Sequence, residues 1–221
     1  MAQTASGTAR RGRGRPPRFS HEQIIVAAVR LLEREPGTEL TIKRVAEAVG
    51  SAPMALYRYF PDRDTLLQAV ADRVIADMEP SNPTGDTWQE QVRCWMRRAR
   101  ERLRPYSQLL PYMAATQQPV GLRALAKLAA ILRPLGLSED NLALAVILIG
   151  STTIGYASYE TNRSPAEQVV ATMQQALALR PEEERQAAEP LLPRLPAAYA
   201  RLYDVVLDQT IASIEALAAT S

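Results

Sequence analysis

The chain has 221 residues, a net charge of +2 and 47% hydrophobic residues, enough for a sizeable core in one large domain or two small ones. Its single cysteine, Cys94, excludes an internal disulfide framework and a cysteine-rich zinc site. With ten glycines and no alternating runs of Val, Ile and Thr, an extensive sheet is excluded too; Ala, Leu, Arg, Gln and Glu recur, so the expected fold is all-α.

Residues 1–18 carry five arginines and no acid, and are too polar to fold alone. They read either as a solubilising tail or as a disordered basic arm in which Arg13, Arg15 and Arg18 reach phosphates or an adjacent minor groove, whose negative potential attracts arginine. The first helix starts at His21: Ser20 and Gln23 are spaced as a capping box, and Phe19 and Ile24 as a hydrophobic staple. Ile24, Ala28 and Leu31, with Ile25 and Leu32, form its inner face. His21, the only histidine, has no companions for a metal site.

Thr41 caps a second, short helix, with Leu40 and Val45 as its staple and Ile42, Val45, Ala46 and Val49 on one face. Gly50 permits the left-handed backbone that ends it. Ser51, Ala52 and Pro53 complete the turn, and Met54 to Phe60 reads as a helix of barely two turns that its neighbours must hold. Helix, glycine turn and helix is an arrangement that ordinary helical hairpins share, and also the one that places a second helix in a DNA major groove roughly 12 Å wide. On the DNA reading Met54 and Ala55 suit thymine methyls, Tyr57 and Tyr59 suit phosphates, and Arg58 suits a phosphate or a base. Thr41, Lys43, Ser51 and Pro53 complete the expected DNA-facing set. The other reading of the tyrosines is as core aromatics with hydroxyls at the rim. Asp62 then caps a further helix with the stripe Leu66, Leu67, Val70, Val74 and Met78. Arg63 at its start opposes the helix dipole, a conflict resolved if it shares a DNA phosphate with the free N–H groups there.

The run LYRYFPDRDTLL, Leu56 to Leu67, resembles the TetR family of bacterial transcriptional repressors. The similar segment spans about Phe19 to Val70, with the Leu-Tyr-x-x-Phe signature at Leu56, Tyr57 and Phe60 and a basic residue at Arg63. The resemblance implies an N-terminal three-helix helix-turn-helix domain followed by a helical ligand-binding and dimerisation domain, with Tyr57 on a phosphate and Leu56 and Phe60 in the small core. It also implies a homodimer on double-stranded operator DNA. The sequence departs from the family pattern at Ala52, where a Ser or Thr usually caps the second helix; Ser51 lies one position earlier. Losing such a cap costs about 0.5–2 kcal/mol. The expected divisions are a basic arm at 1–18, a DNA-binding domain at 19–78 that includes the linking helix, and an effector and dimerisation domain at 79–221.

Glu79 to Thr87, with two prolines and a glycine, is the clearest break. Beyond it Trp88, Val92, Trp95, Ala99 and Leu103 line one side of a long helix, opposite Arg93, Arg97, Arg100 and Arg104, which read as a solvated face. Arg98 and Arg102 border the stripe and either face a cavity or snorkel to solvent. Pro105 is expected to end this helix, and Pro111 and Pro119 to divide the next stretch into short pieces. Tyr106, Leu110, Tyr112 and Met113 combine bulk with polar tips and read as pocket lining or as plain core; Trp95, Thr152, Tyr156 and Tyr159 complete the candidate ligand set.

Leu122 to Leu132 is amphipathic, and Asn141 to Tyr159 is apolar nearly all round, with small residues that let another helix come close. A helix is expected from about Pro165 to Leu179, then a long exposed connection with acidic residues at Glu182 to Glu184. Tyr199, Tyr203, Val206, Thr210, Ile214 and Leu217 form a terminal stripe. By the resemblance, Asn141 to Tyr159 and Ala197 to Ala218 pair with their symmetry mates as a four-helix bundle.

The expected function is a cytoplasmic, ligand-responsive regulator, a repressor released from a palindromic operator by a small-molecule effector. The alternative is a helix-turn-helix protein without an effector. No carboxylate pair, metal cluster or nucleophile with a base suggests an enzyme, a cofactor or a metal, and no membrane partner is expected.

Overall fold

A computed structural model describes residues 19–78, 82–115 and 121–220, and among them only helices and connecting turns occur. The first four helices are α1 (His21–Arg34), α2 (Ile42–Ala48), α3 (Pro53–Leu56) and α4 (Arg63–Asp77). After them come α5 (Trp88–Leu103), a 3-10 run Arg104–Leu109, α6 (Leu110–Ala115) and α7 (Leu122–Leu132). The remainder is α8 (Glu139–Asn162), α9 (Ala166–Leu177), α10 (Glu182–Ala188) and α11 (Leu195–Ala219).

Short-range chemistry sets most of the helix starts. Ser20 Oγ accepts from the Gln23 N–H at 3.1 Å while the Gln23 side chain accepts from the Ser20 N–H at 2.9 Å, the reciprocal pair that satisfies two free donors. Thr41 and Asp62 cap α2 and α4 through the N–H groups of Arg44 and Thr65. Thr87 and Glu90 form a second capping box at α5. Gly50, at φ +65°, turns the chain out of α2, and the Ser51 N–H returns to the Ala46 carbonyl at 2.8 Å.

Three elements differ from the sequence expectation. The helix expected over Met54 to Phe60 contracts to the four residues of α3, followed by a turn closed by the Phe60 N–H on the Leu56 carbonyl at 2.9 Å. Ala52 supplies no side-chain cap, and so short a helix has little cooperativity of its own. α5 ends at Leu103, just before Pro105 as expected, and Pro105 lies in the first turn of the 3-10 run, where its missing N–H breaks no bond, with the chain continuing directly into α6. Pro119 lies outside the described residues. Between 182 and 188 the expected connection is the helix α10, begun after Pro181 with three glutamates in the first turn, where negative charge complements the helix dipole. Finally, the arginine face of α5 is not simply solvated, because its guanidiniums pair with carboxylates of α8 and α11.

Two apolar cores result. One joins Ile24, Ala28, Leu40, Val45, Leu56, Phe60 and Leu66 of the first four helices and their links to Leu103, Leu109, Leu110, Met113 and Ala157. The other packs Val92 and Met96 of α5 with residues of α7, α8 and α11. The first core thus crosses the boundary expected at 78/79. Among the described residues, α8 is long and apolar enough to cross a membrane, with mean hydropathy 1.6 and a third (33%) of its most apolar window buried. Its buried side carries Leu142, Ala145, Val146 and Ile149.

Candidate nucleic-acid interface and effector cavities

The short α3 is positioned from below by Leu56 and Phe60, both in the first core, which leaves the opposite side of the turn outward. Met54 is 74% exposed and Tyr57 45%, and Lys43 and Arg58 are exposed as well. Thr41, Ser51, Pro53 and Ala55 are half-buried between them. Their exposed groups are polar or cationic, with the apolar Met54 among them, a chemistry that suits phosphates and thymine methyls.

Two members of the expected DNA-facing set are turned to other tasks. The Tyr59 hydroxyl donates to the Phe19 carbonyl at 2.8 Å and its ring meets the His21 ring edge-on at 5.1 Å, so it fastens the start of α1 to the end of α3. Arg63 turns inward: its Nε donates to the Leu40 carbonyl at 2.8 Å, and its guanidinium lies 3.3 Å from Glu39 and 3.5 Å from Gln108 Oε1. A bare helix start opposes that cation, and these acceptors offset the conflict without DNA. Arg13, Arg15 and Arg18 lie outside the described residues.

The first four helices are tied to the second half by side chains of the 3-10 run and α6. Gln108 accepts from the Leu40 N–H at 2.8 Å and donates to the Thr38 carbonyl at 2.9 Å. The Tyr106 hydroxyl donates to Glu33 at 2.8 Å, and the Tyr112 hydroxyl to Asp64 at 2.6 Å. Burial pushes the Tyr106 hydroxyl pKa up, and its bond to Glu33 adds to this; for Tyr112 the Asp64 bond is the main cause of a rise. Both hydroxyls therefore stay protonated donors at neutral pH. Tyr106 and Tyr112, both in the expected ligand set, tie the two halves together through these bonds.

The other candidate ligand residues divide among several places. Leu110 and Met113 are buried in the first core, and Trp95 packs against the second. Arg98 and Arg102 line an open groove of about 500 Å³ with Asn82 and Glu101, where Arg98 donates to the Asn82 carbonyl at 2.8 Å. Arg102 and Tyr106 also border a cavity of about 490 Å³ between α1, α4 and the end of α5, with Val29, Glu33, Val74 and Met78. Thr152 is half-buried on α8 and Tyr159 exposed. Tyr156 lines a third cavity, of about 480 Å³, between α5, α8 and α11. Sequence reasoning missed most residues of this last cavity, among them Arg100, Arg163, Tyr199 and Tyr203. The four-residue step from Tyr199 to Tyr203 is the one signal that placed two of them on a common face.

Residues 24–70 match the family model described as bacterial regulatory proteins, tetR family, and residues 79–213 match the model of the tetracyclin repressor-like C-terminal domain. The chain belongs to the TetR family. Within it, the chain is 30% identical to the HTH-type transcriptional repressor DrrR1 of Streptomyces coeruleorubidus over 165 residues, 72% of this chain and 60% of that protein. An HTH-type transcriptional regulator of Saccharopolyspora erythraea is 25% identical over 150 residues, 66% of this chain and 62% of that one. The chain therefore aligns with about three fifths of the length of these curated relatives. The fold is similar to that of Streptomyces coelicolor ActR in complex with actinorhodin, with a TM-score of 0.70 at 23% identity over 90% of this chain and 98% of the other. It is also similar to BioQ with its double-stranded DNA operator, at a TM-score of 0.53 and 22% identity over 81% and 99% of the two chains.

Proposed function

We propose that the protein is a homodimeric repressor that binds a palindromic operator and is released by a small-molecule effector. The observation that carries this reading is the way the DNA-facing surface is attached: Tyr106, Gln108 and Tyr112, all on segments leading away from α5, grip the last turn of α1, the loop before α2 and the first turn of α4 respectively. A shift of α6 or the 3-10 run moves the reader as a body. Each subunit presents one α3, and the dimer sets the distance between the two near a multiple of roughly 34–36 Å, the DNA repeat. An effector that prefers a different spacing weakens operator binding by its differential affinity for the two states. DrrR1, described as a repressor, and ActR, held with actinorhodin, support both parts of the reading.

Dimerisation is supported by an unpartnered stripe on α8 and α11, where Leu144, Ile147 and Val205 are exposed. A Cβ added at Gly150 or Gly155 meets nothing within 4 Å, so another helix can come close there. In this reading α8 is a core and dimer helix, the protein is soluble and cytoplasmic, and the DNA-binding and effector-binding domains comprise residues 19–78 and 79–221. The chain has no reaction to catalyse, and the basic arm 1–18 adds phosphate contacts.

Footprinting of the purified protein on DNA flanking its own gene, across a range of salt, tests the proposal. The expected result is a protected palindrome whose affinity falls steeply with salt, as counterion release requires. Protection without symmetry removes the dimeric repressor, and a footprint that no small molecule relieves favours a helix-turn-helix protein without an effector.

A further inference from the structure

The cavity between α5, α8 and α11 contains two polar groups that the fold leaves unused. Arg163 Nη1 and the Tyr203 hydroxyl are both buried without a hydrogen-bond partner, and Tyr203 as a whole is only 5% exposed. An unmet buried donor costs about 1–3 kcal/mol, so native proteins rarely keep one, and here the two residues that carry them both line one cavity.

The neighbouring charges indicate its sign. Glu160 is held by Arg100, whose Nε donates to it at 2.8 Å, and Asp204 by Arg97 at 2.9 Å. The Arg100 bond also keeps the Glu160 carboxyl below the usual range, and its charge there is satisfied. The remaining acids on the lining, Glu101 and Glu167, are exposed. Arg163 forms no ion pair with any described residue; its charge helps to hold the Glu160 carboxyl low, and its Nη1 still has a hydrogen bond to give. Burial pushes the Tyr203 pKa up to about 12, which leaves the hydroxyl protonated and able to donate at neutral pH.

The walls indicate its shape. The Tyr156 and Tyr203 ring centroids are 4.7 Å apart, the Arg100 guanidinium lies 4.4 Å from the Tyr203 centroid, and that of Arg163 lies 4.2 Å from the Tyr199 centroid. This alternation of flat cations and rings accepts a further planar group at its edge. A volume of about 480 Å³ suits a molecule of one to three rings.

We propose that the cleft between α5, α8 and α11 is a binding site for a small planar aromatic carboxylate, held by Arg163 Nη1 and the Tyr203 hydroxyl. The carboxylate takes one hydrogen bond from each donor, and its ring lies among Tyr156, Tyr199 and Tyr203. The site goes beyond operator binding and is tested without DNA, so failure here leaves the repressor reading standing.

Titration of the full-length protein with 2-naphthoate, followed by calorimetry and by quenching of intrinsic fluorescence, provides the test. Saturable binding of one probe per chain is expected, weakened roughly tenfold or more in Arg163→Gln, as for loss of a charge-assisted bond. Tyr203→Phe is expected to bind several-fold more weakly while its thermal transition stays where it was or rises, because the substitution removes an unmet buried hydroxyl. The neutral amide, 2-naphthamide, is expected to bind at least about tenfold less well than the acid. No saturable binding below about 10 mM overturns the proposal, as does an Arg163→Gln protein that binds the probe unchanged. Displacement by an equal concentration of sulfate also overturns it, since any anion then suffices. So does an Arg163→Gln protein that turns monomeric while retaining the probe, which assigns that guanidinium to a protomer contact.

Discussion

The two ends of α5 face different neighbours and are built by different rules. Around the loop before α2, several polar side chains bond to the backbone: Gln108 to Leu40 and Thr38, Arg63 to Leu40, and nearby Tyr59 to Phe19. Along α5, α8 and α11 the ion pairs join side chain to side chain: Arg93 with Asp208, Arg97 with Asp204, Arg100 with Glu160. Backbone groups have fixed positions, so bonds to them hold a surface to one shape. Pairs of long side chains give way more readily and can rearrange around a guest. On the proposed function, a reader that must match a rigid duplex and a cleft that must admit a ligand have contrary requirements, and each region is suited to its own.

The largest expected departure from this contrast comes from emptying the core beneath the reader. Leu56→Ala removes a fully buried side chain under α3 and is expected to cost about 2–5 kcal/mol in denaturant unfolding. DNA affinity is expected to fall with it, while 2-naphthoate binding at the distant cleft, measured at a temperature where the variant is folded, stays unchanged. Next in size is Gln108→Ala, which strands the Leu40 N–H and the Thr38 carbonyl and is expected to cost about 1–3 kcal/mol. Its sharper signature lies in coupling: effector and operator should influence one another less, read as a smaller ratio of operator affinities with and without the releasing molecule. An unchanged ratio removes Gln108 from the connection.

The smallest effect is a pH dependence confined to the second region. The folded-state pKa of Glu160 is lowered, first by its bond to Arg100, so the carboxylate adds stability that is present above the unfolded value of about 4.3 and is lost as pH falls through the lower folded value. Both partners are about a third exposed, which keeps the contribution modest. Comparison of wild type with Glu160→Gln in acid unfolding checks it: the difference between the two should shrink below about pH 4 and vanish at lower pH. A difference that grows on acidification contradicts the assignment.

Legibility in the sequence tracks the range of the interactions. Ser20 with Gln23, Thr41, Gly50 and Asp62 act within a few residues of themselves, and each cap or turn stands where the spacing puts it. Thr87 and Glu90 carry the same signal and could have been read in the same way. Arg97 and Arg93 looked solvated because the carboxylates that meet them are 107 and 115 residues further on, beyond any periodicity. Arg63 was placed correctly at a helix start, but its acceptors come from Glu39, Leu40 and Gln108, which no local pattern connects. Tyr106 and Tyr112 have the bulk and polar tip of pocket residues, and the same two properties make a strut; only the position of Glu33 and Asp64 separates the two roles.

The first core, which runs from Ile24 to Met113 and takes in Ala157, has a consequence for anyone wishing to rewire the protein. A chimera joined at the Pro-rich break after Met78 would keep the four reader helices but strip Leu103, Leu109, Leu110 and Met113 from beneath them, exposing Leu66, Leu67 and Val70 to water. A graft that is to keep its specificity for DNA has to carry the end of α5 through Met113 along with the reader, or rebuild that layer from the new host. On the proposed function, portable specificity in this chain is therefore larger than the segment expected to touch DNA.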